Sequence, residues 1–401
     1  MFGLRRYASS SISRASLEIQ KSHHLKAKPE NKDLVFGHQF TDHMLSVEWN
    51  KGRGWSAPLI KPYGDISLDP SCPALHYAMQ CFEGMKAYRD GEGRIRMFRP
   101  DMNMARLQRS MTRLTLPEFS QGEFLKCIQE LLRLDQDWYI ICSSNPGKGS
   151  LQNQVIDKLL DKQSGYSLYI RPTAIATQRT LGVGPSDSAL LFCIASPVGP
   201  YYKTGFSAVS LYASRSFVRA WPGGTGDSKL GANYAPGILP QLQVAKDGYQ
   251  QILWMFGEQD YATEVGTMNF FCYWINESGE RELLTPPLDG TILPGVTRDS
   301  ILCLAKDFGI KTAEQKITLP QISNAAKEGR LLELFGCGTA AIVSPIKKIR
   351  YDDIDIVVPL DPEDPTMQAG PLARKFAKCI MDIQYGVDDH GHSEWSVVVD
   401  G

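Results

Sequence analysis

Hydrophobic and polar positions along this chain switch repeatedly between two periods. "LVFGHQFTDHMLSVEWN" (34–50) alternates apolar with polar residues and predicts one or two half-buried strands. "ALHYAMQCFEGMKAYR" (74–89) starts with helical spacing, breaks at Gly84 and continues as an extended "MKAYR". A turn at Asp90-Gly91 then leads into a second strand, "RIRMF" (94–98). Past Pro100 and a candidate cap at Asp101, Met104, Leu107, Met111 and Leu114 recur at helical spacing, which predicts a helix over 103–114. Arg106, Arg109 and Arg113 form a neighbouring stripe on it. "GEFLKCIQELLRLDQDW" (122–138) repeats the amphipathic pattern. Strand patterns follow at 167–177, 188–198 and 207–214, the last two separated by "PVGPYYKTGFS", whose glycines and prolines mark a domain linker. The second half mixes strands at 251–256 and 270–276 with helices near 297–308 and 320–329. Neither half has the regular βα alternation of a doubly wound sheet, and no internal repeat is present. The polar segment 139–166 is long for a loop in a compact domain.

With 401 residues, 43% of them hydrophobic, the chain can bury two cores, and its net charge of −1 argues against nucleic acid as a main partner. No uninterrupted apolar run reaches membrane-spanning length, so a soluble protein is expected. The nine cysteines are scattered without a C-x-x-C pair, the usage of a reducing compartment. The seven histidines make no zinc-type spacing, and no metal site is expected. The start, "MFGLRRYASSSISRASLEIQ", carries Arg5, Arg6 and Arg14, five serines and no acid before Glu18. This is the pattern of a mitochondrial transit peptide; it sets residues 1–25 outside the fold and the chain in the mitochondrial matrix. A disordered tail on a cytoplasmic protein is the alternative.

Candidate chemistry gathers at a few positions. In "GTGDSKLGANYAP" (224–236), Lys229 sits among small residues that would let a bulky group approach the backbone, with Tyr234 near enough to donate to an oxygen there. Glu264 precedes a Gly-Thr pair at the edge of an apolar strand, a costly place for an acid unless it meets a cation or donor. "LDGTILPGVTRDSIL" (288–302) leads into a helix whose first turn holds Val296 and Thr297, with backbone N–H groups suited to an anion; "FGCGTAAIVSP" (335–345), with Thr339, repeats that theme. Arg106 lies near the core-facing stripe of its helix and can make a bidentate contact to phosphate. Tyr169 and Arg171 in "SLYIRP" are two apart, hence on one face of a strand, and suit a carboxylate or a structural ion pair. Taken singly, each has an ordinary reading: a loop lysine, a glutamate in a turn, a loop-to-helix junction, a solvated arginine face.

Together these stretches resemble the branched-chain amino acid aminotransferases, pyridoxal-phosphate enzymes of fold type IV. The resemblance is carried in order by "FGHQFTDHML", "FEGMKAYR", "RPDMNMARL", "SLYIRP", "RAWPGGTGDSKLGANYAP", "TEVGTMN", "TPPLDGTILPGVTR" and "FGCGTA", spanning about 34–388. It implies an α/β (α+β) fold of two domains, a smaller N-terminal α/β domain over 26–200 and a larger C-terminal pseudo-barrel over 215–401, joined by a linker at 201–214. It implies Lys229 as the Schiff-base lysine and acid–base, Glu264 at the pyridine nitrogen and Tyr234 at the ring oxygen. It places Arg106, Val296, Thr297 and Thr339 on the phosphate, with Arg219 beside the cofactor. Phe36, Tyr77, Phe82, Tyr169, Thr267 and Ala340 would form the substrate pocket and carboxylate site, with Arg171 meeting the acidic co-substrate. Leu181, Val183 and Tyr201 match positions that reach into the neighbouring subunit's site, which implies a homodimer.

The activity so implied is ping-pong transfer of the amino group of leucine, isoleucine or valine to 2-oxoglutarate. D-amino acid aminotransferase and aminodeoxychorismate lyase are the rival fold-type-IV readings, and a cofactor-free scaffold the rival outside enzymes. Three departures stand out: Ala341 and Ser344 replace the redox C-x-x-C of mammalian members, Ala232 replaces a common glycine, and 139–166 is longer than the family's link by about twenty residues (142–162).

Overall fold

Where side chains alternate, the chain forms strands, and these collect into two sheets in the computed structural model, which describes residues 11–30, 33–139, 166–199, 207–364 and 366–399. Two units are separable. The first takes the chain up to residue 200 together with Ser228–Ala232 and everything from Asp382 onward; the second takes 201–227 and Asn233–Met381.

The first unit is built on a ten-stranded sheet. Its strands are β1 (Glu18–Ile19), β2 (His43–Asn50), β3 (Gly54–Trp55), β4 (Leu59–Pro62), β5 (Gln80–Phe82), β6 (Met85–Arg89), β7 (Ile95–Phe98), β8 (Ser167–Ala176) and β9 (Ser188–Val198), with a tenth from the C-terminus. Between β4 and β5 lies α1 (Pro73–Tyr77). Two amphipathic helices, α2 (Pro100–Arg113) and α3 (Gln121–Leu134), cover one face. Their stripe of Met104, Leu107, Met111, Phe124, Ile128 and Leu131 is buried with Leu168, Ile170 and Ala174 of β8 and Leu191 and Cys193 of β9. β8 pairs along its whole length with β9, and its odd-numbered positions Tyr169, Arg171 and Thr173 turn to the face away from the helices. Arg106 is buried on α2 while Arg109 and Arg113 are exposed, so the basic stripe divides as expected.

The second unit closes on itself. Its strands are β10 (Val209–Ser214), β11 (Gln251–Phe256), β12 (Tyr261–Val265), β13 (Met268–Ile275), β14 (Arg281–Thr285), β15 (Lys311–Glu314), β16 (Leu331–Gly338), β17 (Ile342–Tyr351) and β18 (Ile354–Val357). The order is β12-β11-β10-β17-β16-β13, and β13 pairs back onto β12, so six strands form a ring that encloses Leu211, Leu253, Val265, Phe270, Leu334 and Ile346. Beyond β13 the sheet continues through β14 to β15. The helices of this unit are α4 (Ile238–Lys246), α5 (Val296–Asp307), α6 (Leu319–Lys327) and α7 (Pro371–Tyr385), the last running on past Asp382.

Several expectations need correction. Of the first 25 residues, those described, 11–25, are not outside the fold: Ile12 is buried in the first core, Arg14 pairs with Glu130, and β1 adds in parallel to β4. Residues 209–214, read both as part of a strand and as the end of a linker, are strand β10, held between β11 and β17. The C-terminal domain does not keep the chain's end, because β19 (Ser396–Val398) pairs with β7 in the first sheet. Residues 335–345 are not a loop entering a helix but a β-hairpin, β16 and β17 joined by a turn at 339–341. The helix after Arg99 starts at Pro100 rather than with a cap at Asp101, since Arg99 takes a left-handed φ of 45° and proline is pre-set for the first helical position. Of 139–166, only Tyr139 and Tyr166 are among the described residues, and Tyr139 is buried.

If the amino-terminal segment belongs to the fold, Ile12→Ala should cost about 2–5 kcal/mol in denaturant unfolding, as for other buried large-to-small changes. An unchanged midpoint would return that segment to a tail.

Candidate active site

Lys229 is fixed through its backbone before its side chain does anything. Its carbonyl accepts from Phe82 N at 3.1 Å, its own N–H donates to Ser110 Oγ at 2.9 Å, and the next residue, Leu230, forms a β-bridge with Cys81. Gly231 is required by this close approach, because a Cβ there would lie 2.8 Å from Gln80 Nε2. The loop's ends are tied by Asn233, which donates to the Thr225 carbonyl and accepts from its hydroxyl, both at 2.7 Å. The small residues around the lysine therefore serve chain packing as well as open space.

The Lys229 amine lies 5.0 Å from the centre of the Phe82 ring, and the Arg171 guanidinium lies 4.6 Å from the same ring. Arg171 also stacks 5.2 Å from the Tyr169 ring and donates to its hydroxyl at 3.1 Å, so the two-residue spacing brings them together as expected. Phe36 packs edge-on against Tyr169 at 4.9 Å. Among the described residues Arg171 has no carboxylate partner, and its buried Nε has no acceptor. A cation on a partly buried aromatic surface without a counter-ion is suited to an incoming anion. Gly84 makes room for this arrangement, since a Cβ there would overlap the Tyr169 hydroxyl at 1.9 Å.

Arg106 is held by Glu83: Nε donates to Oε1 at 2.6 Å and NH2 to Oε2 at 2.8 Å. Asn103 Nδ2 and the Gly84 N–H complete the carboxylate's shell at 2.9 and 3.1 Å. Burial alone would raise the Glu83 pKa, but the Arg106 guanidinium, with Lys229 and Asn103, outweighs it and holds the carboxyl below its usual range. Glu83 lies within "FEGMKAYR", and an acid followed by glycine is the only signal the sequence offers for it. Tyr77 does not join the aromatic group through a bond or ring contact among the described residues. Its hydroxyl donates to the Leu181 carbonyl at 2.5 Å, and Leu181 and Val183 are 61% and 83% exposed. Tyr201 lies outside the described residues.

In the second unit Glu264 is buried and fully engaged. Arg219 Nε pairs with Oε2 at 2.7 Å, while Oε1 accepts from Leu293 N at 2.7 Å and Asn269 Nδ2 at 3.3 Å. Arg219 is anchored in turn on the Thr291 and Gly226 carbonyls. The same Asn269 donates to the Leu293 carbonyl, and its side chain approaches Gly295, where a Cβ would collide at 2.0 Å. Gly295 is the N-cap of α5 and offers no side-chain cap, which leaves the first-turn N–H groups at Val296 and Thr297 suited to an anion. Register places the β12–β13 turn, with exposed Thr267, beside the β16–β17 turn of Thr339 and Ala340 at one end of the sheet. Tyr234 is half-buried, just before a short 3-10 turn at Ala235–Gly237. Asn269 carried no sequence signal, because its bond to the Leu293 carbonyl joins positions 24 residues apart.

The family model for amino-transferase class IV matches residues 80–349. A branched-chain-amino-acid aminotransferase of Monosiga brevicollis is 50% identical over 97% of this chain and 93% of its own length. The mitochondrial branched-chain-amino-acid aminotransferase of Saccharomyces cerevisiae is 49% identical over 99% of this chain and 96% of its own. Relatives at similar identity carry either "mitochondrial" or "cytosolic" in their names. Among solved structures, the Escherichia coli branched-chain amino acid aminotransferase superposes with a TM-score of 0.66 over 88% of this chain and 99% of its own, at 23% identity, which speaks to the fold.

Replacing Arg106 with methionine strands a completely buried carboxylate, and should cost about 3–5 kcal/mol at neutral pH. In the native protein Glu83 is depressed below the unfolded value of about 4.3, so it adds stability above that pH and loses it on acidification. The gap between native and Arg106→Met stabilities should therefore shrink as pH falls below that value, measured by unfolding from pH 7 to pH 3. A gap that stays constant would show that Glu83 is not ionised beside Arg106.

Proposed function

The chain belongs to the class IV amino-transferases and, within them, to the branched-chain-amino-acid aminotransferases, and we propose that it transfers the amino group of leucine, isoleucine or valine to 2-oxoglutarate, using pyridoxal phosphate and yielding a branched-chain 2-oxo acid and L-glutamate. The observation that carries this reading is the shared Phe82 ring, with the Lys229 amine against it and the Arg171 guanidinium, which has no carboxylate partner among the described residues, against it as well.

The donor chemistry fits the cofactor. A reactive amine at Lys229 matches an aldehyde, the Arg106 guanidinium and the uncapped α5 N–H groups match a phosphate dianion, and the buried Glu264 carboxylate matches a protonated ring nitrogen. When bound, pyridoxal phosphate supplies the electron sink that lets the amino acid's Cα–H bond break. Lys229 would hold the cofactor covalently between turnovers and carry the proton away from Cα and on to the cofactor carbon. Glu264, stiffened by Arg219, Leu293 N and Asn269, would keep the ring nitrogen protonated. Tyr234 would donate to the ring oxygen. Arg106, the Val296 and Thr297 backbone and Thr339 would bind phosphate, with Arg219 beside the ring.

Phe36, Tyr77, Phe82, Tyr169, Thr267 and Ala340 would form the apolar pocket and carboxylate site. Arg171 would meet the distal carboxylate of 2-oxoglutarate across the same aromatic surface, so one pocket takes an apolar and an acidic side chain in turn. Discrimination among the branched substrates is expected to be modest, about 1–3 kcal/mol per methylene. The exposed Leu181 and Val183, presented by Tyr77 and joined by Tyr201, would complete the site of a second copy in a homodimer. For location, the arginine- and serine-rich start favours the mitochondrial matrix, and import of a tagged chain into isolated mitochondria tests it.

Lys229→Ala should abolish turnover and the visible absorption of the bound cofactor while leaving the melting profile cooperative; near-normal turnover would refute the mechanism. Arg171→Gln should raise KM for 2-oxoglutarate by roughly ten- to a hundredfold, the loss of one charge-assisted contact, with a smaller effect on leucine. An equal loss on both substrates would remove Arg171 from co-substrate recognition. On a substrate panel, D-alanine outpacing L-leucine would assign the chain to the D-amino acid branch instead.

A further inference from the structure

Glu83 holds no assigned role toward cofactor or substrate, yet it is completely buried and touches the surroundings of two residues that do. We propose that Glu83 is the positioning residue of the phosphate site: its carboxylate fixes the plane and direction in which the Arg106 guanidinium meets the cofactor phosphate. The inference rests on the reading of Arg106 as a phosphate ligand.

Two parallel bonds, Nε to Oε1 and NH2 to Oε2, lock the guanidinium in rotation as well as in place, and NH1 lies outside that pair. Glu83 is itself immobilised. Asn103, one helical turn before Arg106 on α2, donates to Oε2, and the Gly84 N–H donates to the same oxygen. The residue before it, Phe82, is hydrogen-bonded through its backbone to the Lys229 carbonyl. One carboxylate thus registers α2, the end of β5 and the lysine segment against one another. An arginine without this partner would have to be ordered anew at each binding event, and the lost freedom of a long side chain would come off the affinity. A buried guanidinium also needs a counter-charge when no phosphate is present, and an acid that remains ionised at neutral pH supplies it.

The test titrates the full chain, stripped of cofactor, with pyridoxal phosphate and separately with pyridoxal, which lacks the phosphate. Absorbance and tryptophan fluorescence report binding, and inorganic phosphate serves as competitor. Glu83→Gln, which keeps the shape and removes the charge, should weaken pyridoxal phosphate about tenfold or more. Pyridoxal should be unaffected, and phosphate competition should weaken in step. Equal weakening of both ligands would make Glu83 a purely structural residue and overturn the proposal; so would tighter pyridoxal phosphate binding, which would mean that Glu83 merely competes for Arg106. Arg106→Gln separates the underlying reading. If that variant keeps the full preference for pyridoxal phosphate, Arg106 is no phosphate ligand; if it loses the preference while Glu83→Gln retains it, only the positioning role fails. Should Glu83→Gln not fold, Glu83→Asp, with the charge kept and the reach shortened, is read by the same pair of titrations with the same outcomes.

Discussion

The alternation of β8 is the constraint on which the first unit depends. Ten residues paired with β9 along their length, and with β6 and β5 on the other edge, admit one register only. In that register Leu168, Ile170 and Ala174 enter the core beneath α2 and α3, while Tyr169 and Arg171 emerge on the opposite face. A slip by one residue would bury a guanidinium among methionines and leucines and expose the core. Holding the chemical face and packing the core are the same act here.

Buried charge follows a second rule at two acids, each of which is ordered by several partners. Glu83 is met by Arg106, Asn103 and Gly84, and Glu264 by Arg219, Leu293 and Asn269. Such groups are expensive to desolvate, and the expense is tolerable only where the geometry is complete before any ligand arrives. Arg171 departs from the rule. It stacks on two aromatic rings, bonds one hydroxyl and, among the described residues, has no acid beside it. On the proposed function, the contrast separates charges that would position the site from Arg171, which would meet a substrate.

Much of this was legible in the chain. Strand and helix periods located β8, β9, α2, α3, β11, β13, α5 and α6 to within a few residues, and strand parity paired Tyr169 with Arg171. What escaped was non-local. Ile12 and β1 read as a leader because charge and serine content describe a segment without saying what it packs on. The hairpin at Thr339 read as a loop because glycines in strands and in turns look alike until Met268 is found packed against Gly336 and Gly338. α4 and α7 were missed, the first because its apolar residues Ile238, Leu239 and Leu242 face outward. Glu83 and Asn269 make bonds between segments 20 or more residues apart, which no local pattern announces. The roles proposed for Lys229, Glu264 and Arg106 came from the ordered set of motifs rather than from any one of them.

The central claim is that Lys229 and Arg171 work on one aromatic surface, so that branched and acidic substrates use a single pocket. Phe82 is the ring both touch. Its replacement by leucine should disturb both functions at once, and stopped-flow measurement of the two half-reactions, leucine and glutamate each with the loaded enzyme, reads this directly. The account predicts that both rates fall together; a loss confined to one half-reaction, with the other at its native rate, would contradict it.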